Sequence, residues 1–174
     1  MESIENYYDT TLKLFETLKN KNEDNGAFYV ENPWMRELVT NLNGLTVLDI
    51  GCGYGTFIKR ALVEGVSKAI GIDISNKMIS EAQKELGSNP VAELHVCPME
   101  NLDSLKIESD SLDLVTSYFA IMYCKDYTKL VRDVHKILKK NGRFIFIVQH
   151  PILTSGIDMG FVKNDQGEEV WPNV

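Results

Sequence analysis

The sequence predicts an α/β domain, a three-layer sandwich built on one doubly wound parallel sheet with helices on both faces. Three observations carry this reading. Short apolar runs alternate with segments of helical periodicity, the order that yields a parallel sheet. Several of those runs are almost continuously apolar, as strands buried on both faces are. A glycine-rich turn, Gly51-Cys52-Gly53-Tyr54-Gly55, directly follows the first run, and ligands of such sheets bind at the carboxyl ends of the strands.

The elements follow in order. Ile4, Tyr8, Thr11, Phe15 and Leu18 make one face of an opening helix, and the polar stretch 20–26 reads as a loop. Asn32 caps a second helix with Pro33 at its first position, carrying Trp34, Met35, Leu38 and Val39. Strands are expected over 45–50, 68–72, 93–96, 112–117 and 143–149. Between the first two, Phe57, Ile58, Ala61 and Leu62 recur at helical spacing, with Gly65 as the stop. Met78, Ile79, Ala82 and Leu86 form the next stripe, capped by Ser75 and ended by Gly87. Leu130, Val131, Val134, Ile137 and Leu138 form the last, closed by Asn141-Gly142. No internal repeat or second domain is visible.

Composition narrows the function. The chain has 174 residues, 44% of them apolar, enough for one domain that buries roughly 70% of its unfolded surface. Its 25 acids against 18 lysines and arginines give a net charge of −7, which repels a phosphate backbone, and no basic stripe overrides it, so no nucleic-acid partner is expected. Cys52, Cys97 and Cys124 are odd in number and far apart, which argues against a disulfide framework or a zinc knuckle and for free thiols in a reducing compartment. The start, Met1-Glu2-Ser3-Ile4-Glu5, lacks the basic and apolar segments of a signal peptide. The longest apolar runs are too short to span a bilayer. A soluble cytoplasmic protein without a membrane partner follows, and no cluster of histidines and carboxylates marks a metal site.

The glycine turn carries the chemistry. Side chains there would hold a ligand off the backbone amides. A dinucleotide fingerprint, G-x-G-x-x-G, would need glycine at position 56, where the chain has Thr56; its glycines fall at 51, 53 and 55. An acid, Asp73, stands at the end of the second strand, about 20 residues past the turn, the spacing of a carboxylate that accepts both ribose hydroxyls. An acid favoured by a helix N-terminus is the structural alternative.

With its apolar strand ending in Asp49 and the turn G-x-G-x-G, the sequence resembles the class I S-adenosylmethionine-dependent methyltransferases. The resemblance continues through Gly71-Ile72-Asp73-Ile74-Ser75, Cys97-Pro98-Met99-Glu100, the segment 112–123 and Lys140-Asn141-Gly142-Arg143-Phe144. It covers about 31–156. It implies a Rossmann-like sheet of strand order 3-2-1-4-5 and S-adenosylmethionine as cofactor. Gly51, Cys52, Gly53 and Gly55 would line the methionine and ribose part, with Asp49 fixing the loop and the amino group. Asp73 would hold the ribose, flanked by Ile74 and Met78, while Met99 and Glu100 would wall the adenine. Ser117 and Tyr118 would face the methionine end. Ordinary core filling explains Met99 equally well. At Pro98 the chain departs from relatives that carry an acid there, which puts the contact to the adenine amino group in doubt.

His150 is a candidate base for a substrate proton, although a histidine before proline is more often structural. His95 and His135 receive no role. No Asn-Pro-Pro-Tyr or Asp-Pro-Pro-Tyr follows the fourth strand, which disfavours methylation of nucleobase or glutamine amide nitrogens. Segment 1–30 reads as a helical lid, with Tyr7 and Tyr8, and 31–156 as the cofactor-binding core. The remaining 157–174 reads as a tail, truncated before the final hairpin of the family sheet. An open fifth-strand edge then invites a covering tail or a homodimer. The expected reaction is methyl transfer to a small-molecule acceptor. Methylation of protein or tRNA, a binding module without turnover, and a nicotinamide-dependent oxidoreductase remain rival readings.

Overall fold

The computed structural model describes residues 38–149 and, for their backbone alone, residues 162–163 and 169–170. Five strands, β1 (Thr46–Ile50), β2 (Lys68–Asp73), β3 (Ala92–Val96), β4 (Leu112–Tyr118) and β5 (Leu138–Ile147), form one sheet of order β3-β2-β1-β4-β5. All its pairings are parallel. The expected order is therefore the observed one. A separate antiparallel pair, β6 (Val162–Lys163) and β7 (Glu169–Val170), lies within the segment read as the tail. The opening helix, the 20–26 loop and the Pro33 cap fall outside the described residues.

Period-two alternation splits the central strands between two cores. Val47, Ala69 and Leu114 face a layer that contains α1 (Thr56–Val63) and Ile79 of α2 (Asn76–Leu86). Leu48, Ile50, Ile70, Ile72 and Val115 face the other layer, which contains α3 (Tyr127–Ile137) and Leu102 of a short 3₁₀ segment (Met99–Leu105). Asp49 and Thr116 share the α1 face by the same alternation, and their Cα atoms are partners in register.

Local chemistry explains the helix ends. Ser75 accepts the amide hydrogen of Met78 at 3.1 Å, the side-chain cap the sequence called for. Gly87 ends α2, and Gly65 adopts the left-handed conformation just past α1.

Three expectations need correction. Val131 is 50% exposed and Leu38 is 54% exposed, so neither belongs to a core stripe. The last helix stops at Ile137, and Leu138 already belongs to β5. The Asn141-Gly142 turn instead lies inside β5, where pairing jumps from Leu112↔Leu138 to Leu114↔Arg143 and the intervening residues bulge out. Turn chemistry there was correctly legible, but it serves a strand irregularity and not a helix end.

Candidate functional site

The carboxyl ends of β1, β2 and β4 meet where the strand order reverses, and the glycine loop covers that point. Gly51, Gly53 and Gly55 all have left-handed backbone, with φ of 75°, 53° and 83°. Gly51 has a second constraint, because a Cβ there would stand 2.2 Å from the Cβ of Ala120. The chain after β4 is thrown across the loop at Phe119, itself left-handed at φ 51°, a conformation that costs a bulky residue free energy. Gly53 is different: a Cβ built there meets nothing within 4 Å. The loop therefore packs against protein at Gly51 and presents bare backbone at Gly53, a surface against which a ligand fits closely.

Two carboxylates stand beside this loop. Asp73, at the end of β2, accepts the amide hydrogens of Gly53 and Ser75, each at 2.9 Å. One acid thus ties the glycine loop to the N-terminus of α2. Asp49, at 2% exposure, accepts a hydrogen bond from the Thr116 hydroxyl at 2.8 Å. Burial lifts its carboxyl from 3.8 to about 7; Thr116 pulls it down and the charge of Asp73 pushes it up. The same surroundings push the Cys52 thiol well above its ordinary range, through burial first and then Asp49 and Asp73.

The remaining sequence-derived residues fall in three groups. Cys52 is buried in the α1 core, Ile74 is half-buried, and Met78 is buried on α2. Met99 packs against the α3 core, and Glu100 is drawn toward α3 twice: its Oε1 accepts from the Lys125 amide at 2.8 Å and its carbonyl from Lys129 Nζ at 2.7 Å. Ser117 is fully buried and donates to the Ile50 carbonyl at 2.9 Å, so its hydroxyl serves the seam between β1 and β4. Tyr118 lies against Phe57 with ring centroids 5.6 Å apart, and burial first, then Asp49, pushes its hydroxyl upward in pKa. His150 lies outside the described residues. Thr116 escaped sequence reasoning. The available signal was its position in the apolar fourth strand, where a buried hydroxyl needs a partner.

A cleft of about 350 Å³ opens at the other end of the sheet, lined by Thr46, Lys68, Glu93, His95, Lys106 and Glu108 among others. Its acids and bases neutralise one another locally, as in the 2.9 Å Lys68–Glu93 pair. Among the described residues no group of His, Cys, Asp and Glu is arranged to hold a metal ion, and no helix is long and apolar enough to cross a membrane.

A glycine loop at the switch point, tied to an acid from the next strand, marks this chain as a doubly wound α/β domain. Comparison with known proteins narrows the class. Residues 48–146 match the family model described as a methyltransferase domain, and the chain belongs to that family, the class I S-adenosylmethionine-dependent methyltransferases. It is 33% identical over 171 residues to an uncharacterised protein of Haemophilus influenzae, covering 95% of this chain and 65% of that one. It is 28% identical to a demethylmenaquinone methyltransferase of Symbiobacterium thermophilum, over 74% of this chain and 53% of the relative. A crystal structure of an S-adenosylmethionine-dependent methyltransferase from Mesorhizobium loti superposes with a TM-score of 0.72 at 31% identity, covering 82% of this chain and 64% of that one. The chain thus spans less than two thirds of the length of these relatives.

Proposed function

We infer that this chain forms the cofactor-binding part of a methyltransferase that moves a methyl group from S-adenosylmethionine to a small-molecule acceptor. The observation that carries the reading is the 2.9 Å bond from the Gly53 amide to Asp73. It brings a bare stretch of backbone and a carboxylate together, so one ligand lying on the loop reaches both. The residues fit an adenosyl amino acid. In this reading the Asp73 carboxylate accepts the ribose hydroxyls, and Asp49 adds negative charge near the loop for a cationic end. Met99 offers a polarizable face for a base. Cys52, Gly55, Ile74, Met78, Glu100 and Tyr118 complete the surroundings, and Ser117 holds β4 against β1 behind them.

S-adenosylmethionine, when bound, supplies a methyl group already activated by the sulfonium charge. The chain's own residues then have to align and dehydrate, and no nucleophile or triad is needed. Orientation falls to the glycine loop and Asp73. Water is excluded on the loop side by the packing of Ala120 on Gly51 and of Tyr118 on Phe57. The name of the Symbiobacterium relative, a demethylmenaquinone methyltransferase, supports a small acceptor.

Calorimetric titration with S-adenosylhomocysteine and with NAD tests the ligand. Binding of the first and not the second is expected, and Asp73→Ala should weaken it about 10- to 150-fold, the ~1.5–3 kcal/mol of charge-assisted hydrogen bonds. Binding of NAD alone would reverse the assignment. Incubation with methyl-labelled S-adenosylmethionine and a cell extract then tests the acceptor. Label in the small-molecule fraction is expected; label confined to protein or tRNA would reject a small acceptor.

A further inference from the structure

On the α1 face of the sheet a buried acid meets a hydroxyl that has two acceptors to choose from. Thr116 Oγ1 lies 2.8 Å from Asp49 Oδ1 and 3.4 Å from the Leu48 carbonyl, and Thr116 is fully buried. A hydroxyl has one proton and two lone pairs, so it serves one of these acceptors at a time. With Asp49 ionised, the proton points at the carboxylate. With Asp49 protonated, the acid donates to Oγ1 and the Thr116 proton turns to the Leu48 carbonyl. Both states leave the buried polar atoms satisfied, which avoids the cost of an orphaned donor or acceptor.

The surroundings make the choice matter. From β2, Asp73 adds negative charge that pushes the Asp49 carboxyl upward, while its own oxygens accept the Gly53 and Ser75 amide hydrogens. Two acids on neighbouring strands cannot both carry charge cheaply beside a dry core. Among the described residues, the Cys52 thiol in the loop and Tyr118 on β4 also feel the charge of Asp49, and Arg60 of α1 acts on Tyr118. Both the thiol and the phenol are pushed upward by burial and by Asp49. Neither gives up its proton near neutrality, and Asp49, raised to about 7, is the group that does.

We propose that Thr116 is a positioning residue whose hydroxyl, turning from the Leu48 carbonyl to Asp49, stabilises the Asp49 carboxylate when a cationic ligand is seated on the glycine loop and the Asp49 proton leaves for solvent. The inference rests on the loop's being the site of an S-adenosyl ligand, whose α-ammonium, common to S-adenosylmethionine and S-adenosylhomocysteine, supplies the cation. The O–H bond of Asp49 breaks, its electron pair stays on the carboxylate, and the proton goes to water; nothing is oxidised or reduced. Ligand affinity is thereby coupled to pH through the protonation of Asp49, which the Thr116 hydroxyl tunes.

Titration calorimetry of the full chain with S-adenosylhomocysteine, in buffers of different ionisation enthalpy, counts the protons released. About one proton is expected at about pH 6 and almost none at about pH 8, with affinity rising about tenfold per pH unit until it levels near pH 7. Asp49→Asn should abolish both the release and the slope. Thr116→Val should move the levelling point upward and weaken binding near pH 7 about tenfold, and Thr116→Ser should restore it. An infrared pH titration of the free protein should show a protonated carboxyl band that disappears near pH 7 and is missing from Asp49→Asn. S-adenosylhomocysteine binding without proton release, or with equal release in Asp49→Asn, overturns this inference and leaves the site standing. A failure of S-adenosylhomocysteine to bind at all overturns the site, whatever the infrared titration shows.

Discussion

The two ends of the same sheet handle their acids in opposite ways. At the amino end, Glu93 meets Lys68 at 2.9 Å and Asp113 meets Lys139 at 2.8 Å. At the carboxyl end, Asp49 is held by a threonine hydroxyl, and Asp73 accepts backbone amide hydrogens from Gly53 and Ser75. A lysine cancels an acid's charge, whereas the Thr116 hydroxyl orients Asp49 without cancelling its charge. The contrast separates exposed acids balanced by lysines from a buried acid held by a neutral hydroxyl.

The sharpest way to break this contrast is to spoil the packing that shapes the carboxyl end. Gly51→Ala places a methyl 2.2 Å from the Ala120 Cβ at a backbone φ of 75°. Together, overpacking and left-handed strain should cost about 3 kcal/mol in urea unfolding and abolish S-adenosylhomocysteine binding. An unchanged midpoint would mean that the loop is not pressed against the segment after β4.

Next in size is a dependence on pH. Because folding raises Asp49 from 3.8 to about 7, the folded chain holds a proton that the unfolded chain has already lost between those values. This group's contribution to stability is fully present below pH 3.8 and is lost as pH rises through 7. Between about pH 5 and pH 6 the loss should approach ~1.4 kcal/mol for wild type, with Asp49→Asn removing that component of the slope. Denaturant unfolding of both proteins across the window measures it. A wild-type slope no steeper than that of the variant would place Asp49 in the ionised form throughout.

The smallest effect belongs to the amino end. Lys68 and Glu93 are both more than 40% exposed, so Lys68→Met should change stability by less than about 1 kcal/mol. It should leave the affinity for S-adenosylhomocysteine within twofold of wild type, roughly the error of the titration. A larger loss of binding would mean that the two ends are coupled, and the separation drawn between them would fail.

Much of the fold was legible because local rules and the global topology agree. Gly65, Ser75 and Gly87 mark helix ends by chemistry that acts within a few residues, and the apolar runs at β1, β2 and β4 are near-continuous because both faces of a central strand are buried. Legibility failed where a residue's environment comes from distant chain. Val131 has the spacing of a core residue on α3, yet it faces outward, because the crossing of the helix over the sheet decides which part of an apolar stripe is covered. Asn141-Gly142 has the composition of a turn, and only pairing with β4 shows that the turn interrupts a strand.

The sequence by itself determined the alternation of strands and helices, the glycine turn with Asp49 and Asp73 at their spacing, and hence the family. These are encoded in period and in residue type along the chain, which short-range sterics and burial translate directly. Tertiary structure alone decided that Thr116 is the partner of Asp49, that Ala120 makes glycine obligatory at position 51, and that Ser117 faces the β1 seam. Each of those contacts joins β1 or its loop to the β4 region across more than sixty residues of chain. Strand register and the path after Phe119 fix them, and neither is written in the composition of either segment.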